Sequence, residues 1–555
     1  MGENILKLFI ERGFLLDREM LDFFNELKNE DLAREIIDKI ALVSKKKVIT
    51  KSLISENFDK LKPVLFELDS DKKKLVERFF VNVSISVEVK KELVVEEKET
   101  RRNEIKIISS PILTSQKLEV KDFIRHFRNR YSFIKGLLQS RSELESLTSI
   151  DKIRGGNRVV SVIGIVNKKT TTKNKNIILE VEDLTDSAKL LINQNREEVF
   201  EKSKEILIDD IIGFKCSGNK DFLFVNDLFY PDSYIKEKHR SVEEVYALFT
   251  SDIHVGSSMF LQNNFERFLD WLNCKNCDEE QKDLIKKIKY LFIVGDNVDG
   301  VGIYPGQEKF LAIKDIKEQY KKLAEYFKKI PNHINIIMCP GQHDGVRVAE
   351  PQPPIGIDFG EPLHNIPNLY LVSNPSIIEI EGSPGKIGIK ILMYHGASMH
   401  PIINEIEELR LVNAHRTPTR AVKHLLLRRH LSPMHGANVY IPNAEEDPML
   451  IKEVPDIVAT GDLHRTDIDK HNGILLIAGS CWQSITPFEE KVGNIPDPCK
   501  VPMLNLKTGA LKILDFTDEP EEKICVEIKN NHDKKEIDKK EIVCDISSEV
   551  KNAIS

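Results

Sequence analysis

The segment VYALFTSDIH at 245–254 sets the pattern of the fold, because an apolar run ends in a polar cluster that contains Asp252 and His254. The same pattern recurs in YLFIVGDNVD (290–299), INIIMCPGQHD (334–344), IKILMYHGAS (389–398), DIVATGDLHRTD (456–467) and LLIAGSCWQS (475–484). Near-continuous apolar runs indicate strands that are covered on both faces, and α/β sheets bind ligands at the carboxyl ends of such strands. The sequence therefore predicts an α/β domain over 241–518 whose polar clusters converge.

Carboxylates and imidazoles follow five of these predicted strands. The residues are Asp252, His254, Asp296, His343, His395, Asp462 and His464. Side chains of this kind at one edge can hold two divalent cations about 3.5–4 Å apart, which activate water and stabilise an in-line displacement at phosphorus. A single D-x-H motif is more often a turn or a helix cap, but five clusters in series favour a shared metal site over independent caps.

A second module is predicted upstream, over 116–240. It begins with a basic helical segment and continues with the β-type runs RVVSVIGIVNKKT, NIILEVEDLTDSAKLLI, EILIDDIIGFKCSG and FLFVNDLFYPD. A helical pattern at 197–204 interrupts these runs. Five short strands with one inserted helix predict an OB-type β-barrel, with a different small barrel as the alternative.

The two ends of the chain differ in composition from its middle. Residues 1–80 repeat apolar positions at helical spacing and predict a helical bundle. Residues 81–115 are rich in Glu, Lys and Val and predict a charged linker, while residues 519–555 predict a charged tail. The expected protein is multidomain, as its length of 555 residues also indicates.

The composition excludes several classes of protein. Hydrophobic residues make up 41% and charged residues 30% of the chain, which excludes wholesale disorder and a fibrous protein. The formal net charge of −7 means that nucleic-acid binding must come from a local patch or from a partner. The first residues lack a secretory signal pattern, and no run reaches the roughly 18 apolar residues of a membrane span. We therefore expect a cytoplasmic protein without membrane contact.

The eight cysteines are scattered along the chain, and Cys339 and Cys481 lie inside apolar runs. This usage indicates reduced core thiols rather than a disulfide framework. Cys274 and Cys277 form a C-x-x-C pair, but a structural zinc site needs four ligands and no second pair lies nearby in the sequence. We therefore favour a purely structural role for this pair.

A basic run falls on a predicted helix and comprises Arg416, Arg420, Lys423, Arg428 and Arg429. One interpretation is a solvated helix face. The other is contact with the DNA backbone or with a partner subunit, because Arg and Lys bind phosphate without reading base sequence.

The order of the polar clusters resembles the calcineurin-like metallophosphoesterases, whose motifs D-x-H, G-D-x-x-D, G-N-H-[DE], G-H and G-H-x-H it follows. A closer resemblance, over roughly 120–515, is to the small subunits of archaeal family-D DNA polymerases. It rests on VDGVGIYPGQ (298–307), HDGVRVAEPQPP (343–354), LLLRRHLSP (425–433), PDIVATGDLHR (455–465) and CWQSITPFEEKVGNIPDPCKVP (481–502). For the α/β domain, the resemblance implies two packed sheets flanked by helices.

The resemblance also implies a function in DNA replication. A member of this family would be a 3′–5′ exonuclease subunit that proofreads for a DNA-directed DNA polymerase, with two divalent cations, manganese or magnesium, as cofactors. Its implied partners are a large polymerising subunit in a heterodimer and DNA with a 3′ end. A sliding clamp is implied only through the complex, because the tail has no clamp-binding peptide.

The family motifs imply a role for each candidate residue. The first cation would be held by Asp252, His254, Asp296 and His464. Asp296 would bridge to the second cation, whose other ligands would be Gln342, His395 and Asp462. His343 would lie beside the phosphate as an acid or an electrostatic stabiliser rather than as a ligand.

Two departures from the family motifs map to the second cation. Gln342 stands where the family has Asn, and Asp462 stands where it has His. An oxygen in place of an imidazole nitrogen suits manganese or magnesium more than zinc. A catalytically weak or inactive scaffold subunit is the alternative function. A free-standing phosphatase or cyclic-nucleotide phosphodiesterase would explain the metal motifs but not the barrel, the bundle or the AEPQP segment.

Overall fold

The computed structural model describes residues 105–517, apart from 114–116, 154–157, 220, 236, 276, 384 and 493, together with two short N-terminal strands. Strand β1 (Leu15–Leu16) pairs in parallel with β2 (Val48–Ile49). The chain divides into a unit of residues 1–102, which contains these strands, and a unit of residues 103–555. The bundle predicted over 1–80 and the tail predicted over 519–555 otherwise lie outside the described residues.

Strand β3 (Ile105–Ser109) lies within the segment that the sequence predicts as a charged linker. It forms the edge of a six-stranded sheet. Ile105 and Ile107 pack against one hydrophobic core, while Ile108 packs against another. The linker prediction is wrong for these residues, because the local apolar run IKII decides the structure in spite of the charged composition around it.

Helix α1 (Val120–Gln139) leads into a closed five-stranded barrel. Helix α2 (Glu197–Lys204) lies between the third and fourth barrel strands, as the sequence predicts. The barrel strands are β4 (Arg158–Thr171), β5 (Ile177–Glu182), β6 (Ser187–Ile192), β7 (Ile211–Asn219) and β8 (Phe222–Phe229). They close in the order β4-β5-β6-β8-β7, with β6 and β8 parallel. The predicted small five-stranded barrel with one inserted helix is therefore present.

From Tyr246 onward, strands and helices alternate. The strands are β9 (Tyr246–Thr250), β10 (Ile288–Val294), β11 (Asn335–Cys339), β12 (Leu369–Leu371), β13 (Ser376–Ile380), β14 (Ile389–Met393), β15 (Ile457–Thr460), β16 (Asp467–His471), β17 (Ile474–Ala478), β18 (Lys500–Asn505) and β19 (Leu511–Asp515). The helices are α3 (Gln262–Leu272), α4 (Glu279–Lys286), α5 (Ile316–Phe327), α6 (Ile357–His364), α7 (Met399–Glu405), α8 (Glu407–Leu411), α9 (Thr419–Arg428) and α10 (Pro487–Val492). All six apolar runs of the sequence analysis form strands.

These strands form two six-stranded mixed sheets. The first has the order β12-β11-β10-β9-β18-β19, in which β12 to β9 are parallel. The second has the order β16-β17-β15-β14-β13-β3, in which β17, β15 and β14 are parallel. In each sheet the parallel strands carry the polar clusters at their carboxyl ends, so the topology delivers those clusters to two neighbouring sheet edges.

The two sheets pack face to face. One hydrophobic core combines Phe249 and Phe292 of the first sheet with Ile391 and Ile457 of the second. Two further cores lie on the outer faces, against α3 and α5 on one side and against α7 and α9 on the other. Two packed sheets flanked by helices are therefore observed, and this packing brings the two sets of strand ends together.

Trp482 belongs to the core beside α3. Its side chain is fully buried and stacks on Phe268, with ring centroids 5.5 Å apart. The indole N–H donates a hydrogen bond of 2.8 Å to Thr250 Oγ1. This hydrogen bond ties the segment after β17 to the end of β9, next to Asp252.

The six described cysteines are free thiols. Cys216, Cys339, Cys481 and Cys499 are buried, in agreement with the predicted core role. Cys274 and Cys277 follow α3 and are partly buried, and neither joins any of the possible metal-binding groups found among the described residues. No helix in the described ranges is both long enough and apolar enough to cross a membrane.

Two arginines of the predicted basic run are buried, and one of them, Arg428, joins the barrel to the sandwich. Arg428 is 3% exposed, and its Nε donates to Asp210 Oδ1 at 2.7 Å in the segment that precedes β7. Its guanidinium also lies over the ring of Tyr230, 5.2 Å from the centroid. Arg429 is 6% exposed and donates to the carbonyl oxygens of Ile451 and Lys452. The prediction of DNA or partner contact is wrong for both, because their charges are satisfied inside the protein.

We expect Arg428→Met to destabilise the unit of residues 103–555 by about 3–5 kcal/mol, because the change leaves Asp210 as a buried charge without its partner. The free energy of unfolding would be measured by urea denaturation with tryptophan fluorescence. Arg416→Met, which replaces an exposed arginine, is the matched control and should change it by less than about 0.5 kcal/mol. Equal effects of the two substitutions would contradict the assignment of Arg428 to an interdomain ion pair.

Candidate metal centre

The predicted site residues meet where the carboxyl ends of five strands from both sheets converge. Asp252 and His254 follow β9, Asp296 follows β10, Gln342 and His343 follow β11, His395 follows β14, and Asp462 and His464 follow β15. All of these side chains except that of His343 interact directly with another of them at hydrogen-bond or ion-pair distances. Seven of the eight follow from the apolar-then-polar pattern of the strands, and Gln342 enters through the family motif.

Five of the site residues have a left-handed backbone, which is uncommon for residues other than glycine. The φ angles are 49° at Asp252, 55° at His254, 48° at Asp296, 69° at Asp462 and 54° at His464. Such conformations cost about 1–3 kcal/mol each and cluster at functional sites. The surrounding sheets hold these residues in a geometry that serves the site rather than the stability of the fold.

Two glycines allow the site to be this compact. A Cβ atom at Gly295, where φ is 79°, would lie 2.1 Å from His395 Nδ1. A Cβ atom at Gly341 would lie 2.2 Å from Asp296 Oδ1 and 2.6 Å from His395 Nε2. A larger residue at either position would push the imidazole of His395 away from the carboxylate of Asp296.

One group of possible ligands comprises Asp252, His254 and His464. The Nε2 atoms of the two histidines lie 3.2 Å apart, and His464 Nε2 lies 3.5 Å from Asp252 Oδ1. Their Nδ1 atoms are engaged elsewhere, that of His254 with Asp299 at 3.1 Å and that of His464 with Glu489 at 2.8 Å. A carboxylate that accepts the Nδ1 hydrogen leaves the Nε2 lone pair for a cation. These residues therefore fit the first cation.

Asp299 and Glu489, which the sequence did not reveal, hold the candidate ligands His254 and His464 by hydrogen bonds. Asp299 is the last residue of GDNVD, three positions after Asp296, so its carboxylate was visible in the motif. Glu489 is the third residue of a short helix far along the chain, and nothing in its neighbourhood marks it as a partner of His464.

A second group comprises Asp252, Asp296 and His395. His395 Nδ1 donates to the Val294 carbonyl at 2.9 Å, so Nε2 faces Asp296 Oδ2 at 3.2 Å. Two buried atoms here, Gln342 Oε1 and Asp462 Oδ2, make no hydrogen bond within the described part of the chain, and His395 Nε2 has only its ion-pair contact with Asp296. Buried polar atoms are normally satisfied. These three belong to the side chains that the motifs assign to the second cation, and a divalent cation would satisfy them.

The two residues that depart from the family motifs interact with each other. Gln342 Nε2 donates to Asp462 Oδ1 at 3.0 Å, which leaves Gln342 Oε1 and Asp462 Oδ2 unused. His400 Nε2 lies 3.4 Å from Asp462 Oδ2 on the solvent side. Gln342 and Asp462 thus form one hydrogen-bonded pair. Gln342 Oε1 and the Asp462 Oδ2 that faces His400 make no hydrogen bond, and two such oxygens suit a hard cation.

The electrostatics of the site also favour cations. Burial alone would raise the pKa of Asp296, but the imidazoles of His395 and His343 hold it well below its usual range. Burial would lower the pKa of His395, but Asp296, Asp252 and Asp462 raise it well above its usual range. The carboxylates thus create a negative potential that draws positive charge to the site. Divalent cations would supply that charge while leaving the imidazoles neutral as ligands.

His343 lies beside the ligands without joining either of these groups. Its backbone N–H donates to Asp296 Oδ1 at 2.8 Å, and its Nδ1 lies 2.8 Å from the Asp299 carbonyl oxygen. Its ring meets that of His254 edge-on, with centroids 4.8 Å apart. His254, Asp299 and His343 form a third possible ligand group. In this group the Nδ1 atoms of both histidines already contact oxygen atoms of Asp299.

The rest of the predicted basic run lies on one side of the centre. Arg416 is exposed and Arg420 partly exposed. Lys423 Nζ pairs with Asp469 at 2.5 Å. The neighbour of Arg416, His415, has its ring 5.2 Å from that of His400, which in turn lies beside Asp462. Contact of Arg416 or Arg420 with DNA or a partner stays a prediction.

We expect Glu489→Gln to weaken binding of the first cation about tenfold or more, because a neutral amide holds the His464 imidazole less firmly than a carboxylate does. Calorimetric titration with manganese would measure the affinity. The adjacent Glu490→Gln is the matched control, because the Glu490 side chain is exposed. The manganese affinity of this variant should stay at the wild-type value. A wild-type affinity in Glu489→Gln would remove Glu489 from the site.

The double change Gln342→Asn, Asp462→His replaces a hydrogen-bonded pair of oxygen ligands by the family's residues. Each single change breaks the Gln342–Asp462 hydrogen bond, so the effects of the two single changes on metal affinity should not add. In the double variant we expect the second site to bind manganese roughly tenfold more weakly and zinc to compete more strongly, because an imidazole nitrogen replaces a carboxylate oxygen. Competition calorimetry would measure both. Unchanged metal dependence would contradict the assignment of Gln342 and Asp462 as ligands of the second cation.

Comparison with known proteins places the chain in a family. The model of the B-type subunits of DNA polymerases alpha and epsilon matches residues 247–468. A solved archaeal phosphodiesterase aligns with 49% of this chain and 99% of its own, at 14% identity and a TM-score of 0.25, a likeness too weak to bear on the site.

Several relatives are much closer in sequence. The DNA polymerase II small subunit of Methanothermobacter thermautotrophicus is 37% identical over 400 residues, which cover 72% of this chain and 80% of that protein. The corresponding protein of Archaeoglobus fulgidus is 32% identical over 503 residues, 90% of this chain and 95% of that protein. The corresponding protein of Pyrococcus furiosus is 35% identical over 404 residues, which cover 72% of this chain and 64% of that protein. The chain therefore belongs to the family of archaeal DNA polymerase II small subunits.

Proposed function

We propose that this chain is a metal-dependent 3′–5′ exonuclease acting on DNA and that it works as the small subunit of a two-subunit replicative polymerase. The observation that carries the proposal is that seven ligand-type side chains from five strands meet at one place. Three of these side chains keep a buried atom without a hydrogen bond among the described residues. A protein that needed only to fold would not gather these groups, because buried charges and unsatisfied polar atoms are destabilising.

The donor set fits two divalent cations. Asp252, His254, Asp296 and His464 would hold the first, and Asp296, Gln342, His395 and Asp462 the second. When bound, the cations supply Lewis acidity toward the scissile phosphate and toward water. The second site offers mostly carboxylate and amide oxygens, so manganese is the better candidate, with magnesium as the alternative.

His343 fits the role of general acid. A backbone carbonyl can only accept a hydrogen bond, so the Nδ1 atom that contacts the Asp299 carbonyl must carry a hydrogen. Nε2 carries a second proton when the ring is an imidazolium, and in that form it can transfer this proton to the leaving 3′ oxygen and become neutral. The main-chain hydrogen bond from His343 to Asp296 fixes this imidazole relative to the ligands.

Membership in the small-subunit family supports a large polymerising subunit as the partner, and polymerisation would present DNA with a 3′ end. The family-like segment 425–433 does not identify the contact surface, because Leu425, Arg428, Arg429 and Leu431 are buried in this chain. Segment 481–502 is also needed internally, since it supplies Trp482 to a core and Glu489 to the metal centre.

We expect His343→Ala to lower the exonuclease rate on a mispaired primer at least about 100-fold while leaving both cation affinities near the wild-type values. The substitution removes the proton donor but keeps the backbone N–H that holds Asp296. The rate would be measured with manganese on the complex co-expressed with the large subunit. Calorimetric manganese titration would be done on the same preparation.

Three outcomes discriminate among the hypotheses. Loss of both cations in His343→Ala would show that His343 is a ligand rather than an acid. Absence of cleavage by the wild type at any manganese concentration, with the two subunits still eluting together, would replace the exonuclease by the scaffold function. Cleavage by the wild type together with separate elution of the two subunits would contradict the proposed partnership.

A further inference from the structure

The loop from Gly300 to Gly306, which follows β10 at the mouth of the metal centre, has a fixed shape. Gln319 is fully buried, and its side chain accepts from Gly300 N at 2.9 Å and donates to Gly300 O at 3.0 Å. Gln307 is 1% exposed and accepts from Ile303 N at 2.9 Å while donating to Asp299 O at 2.8 Å. Two buried amides therefore hold the start and the middle of the loop.

The tip of this loop presents apolar side chains to solvent. Val301 is 46% exposed and Ile303 is 36% exposed, Pro305 is also exposed, and Tyr304 is partly exposed. Exposed apolar residues are common singly, but a cluster on a rigid loop at the edge of a polar site is typical of a ligand contact. Neither Val301 nor Ile303 belongs to a hydrophobic core or to a possible metal-binding group of the described residues.

The tip lies next to His343. A Cβ atom at Gly300 would lie 2.2 Å from the His343 carbonyl oxygen, and the ring centroids of Tyr304 and His343 are 6.5 Å apart. The residue before the loop, Asp299, contacts His343 Nδ1 through its carbonyl oxygen. The loop and the proposed acid therefore form one rigid wall of the site.

We propose that Val301, Ile303 and Tyr304 form a nucleobase subsite for the penultimate nucleotide of an unpaired DNA 3′ end. The inference rests on the proposed function. The leaving 3′ oxygen that His343 serves belongs to the penultimate nucleotide, so the wall beside His343 contacts that nucleotide rather than the one released. An apolar and aromatic surface stacks on any base, independently of sequence. A paired base is already stacked in the duplex, so this subsite favours ends that have come unpaired.

The test uses Val301→Ser, Ile303→Ser in the complex with the large subunit. The matched control is Val242→Ser, Ile387→Ser, which replaces two exposed residues at the opposite ends of the strands, near the start of β9 and of β14. The probes are oligonucleotides with an unpaired 3′ end that carry a normal or an abasic penultimate nucleotide. Binding would be measured by fluorescence anisotropy on versions whose last linkage is an uncleavable methylphosphonate, and hydrolysis on natural versions.

We expect the wild type and the control to bind and cleave the normal probe about tenfold better than the abasic probe. The loop variant should lose this preference and treat both probes as the wild type treats the abasic one. Val301→Ile, Ile303→Leu keeps the tip apolar and should retain the preference.

The two readouts separate this proposal from the exonuclease. A base preference in binding that the loop variant loses, without hydrolysis by any protein, would support the subsite and overturn the exonuclease. Hydrolysis with the same base preference in the wild type and in the loop variant would overturn the subsite and support the exonuclease. A preference that follows the terminal base instead of the penultimate one would also overturn the proposal. Loss of the penultimate-base preference in Val301→Ile, Ile303→Leu would overturn it as well.

Discussion

The mutual repulsion of carboxylates buried between two sheets is the constraint on which the rest of the site depends. Asp252 and Asp296 come from the first sheet and Asp462 from the second, and all three act on the same imidazole, that of His395. Negative charges at this spacing are costly in a water-poor environment unless positive charge lies among them. The left-handed backbone at five site residues and the glycines at 295 and 341 serve to bring these groups closer than an ordinary strand end would allow.

The sequence predicted the parts of this architecture that depend on local pattern. An apolar run followed by Asp or His specifies a buried strand and its polar end, so the strands and the ligands that follow them could be placed before the structure was known. Contacts that join distant segments left no such pattern. Glu489 supports His464 from a short helix, and the IKII run of β3 was obscured by charged neighbours. Arg428 illustrates the limit of sequence patterns, since a basic helix has the same pattern whether its charges face water or a second domain.

The Gln342–Asp462 pair changes how the two family departures are interpreted. Taken singly, each residue is a weaker match to the motif and favours the scaffold function. Their hydrogen bond shows that the two side chains share one environment, in which each keeps one oxygen without a hydrogen bond. A centre that had lost its role would have no reason to keep three unsatisfied buried atoms together, because a polar group without a partner is destabilising.

The origin of the ligands from two separate sheets has a mechanical consequence. Asp252, Asp296 and Gln342 follow strands of one sheet, and His395, Asp462 and His464 follow strands of the other. Cations bound among them would link the two sheets of the sandwich and would resist sliding of one sheet over the other. Loss of the ions would loosen the body that carries the barrel and any attached subunit.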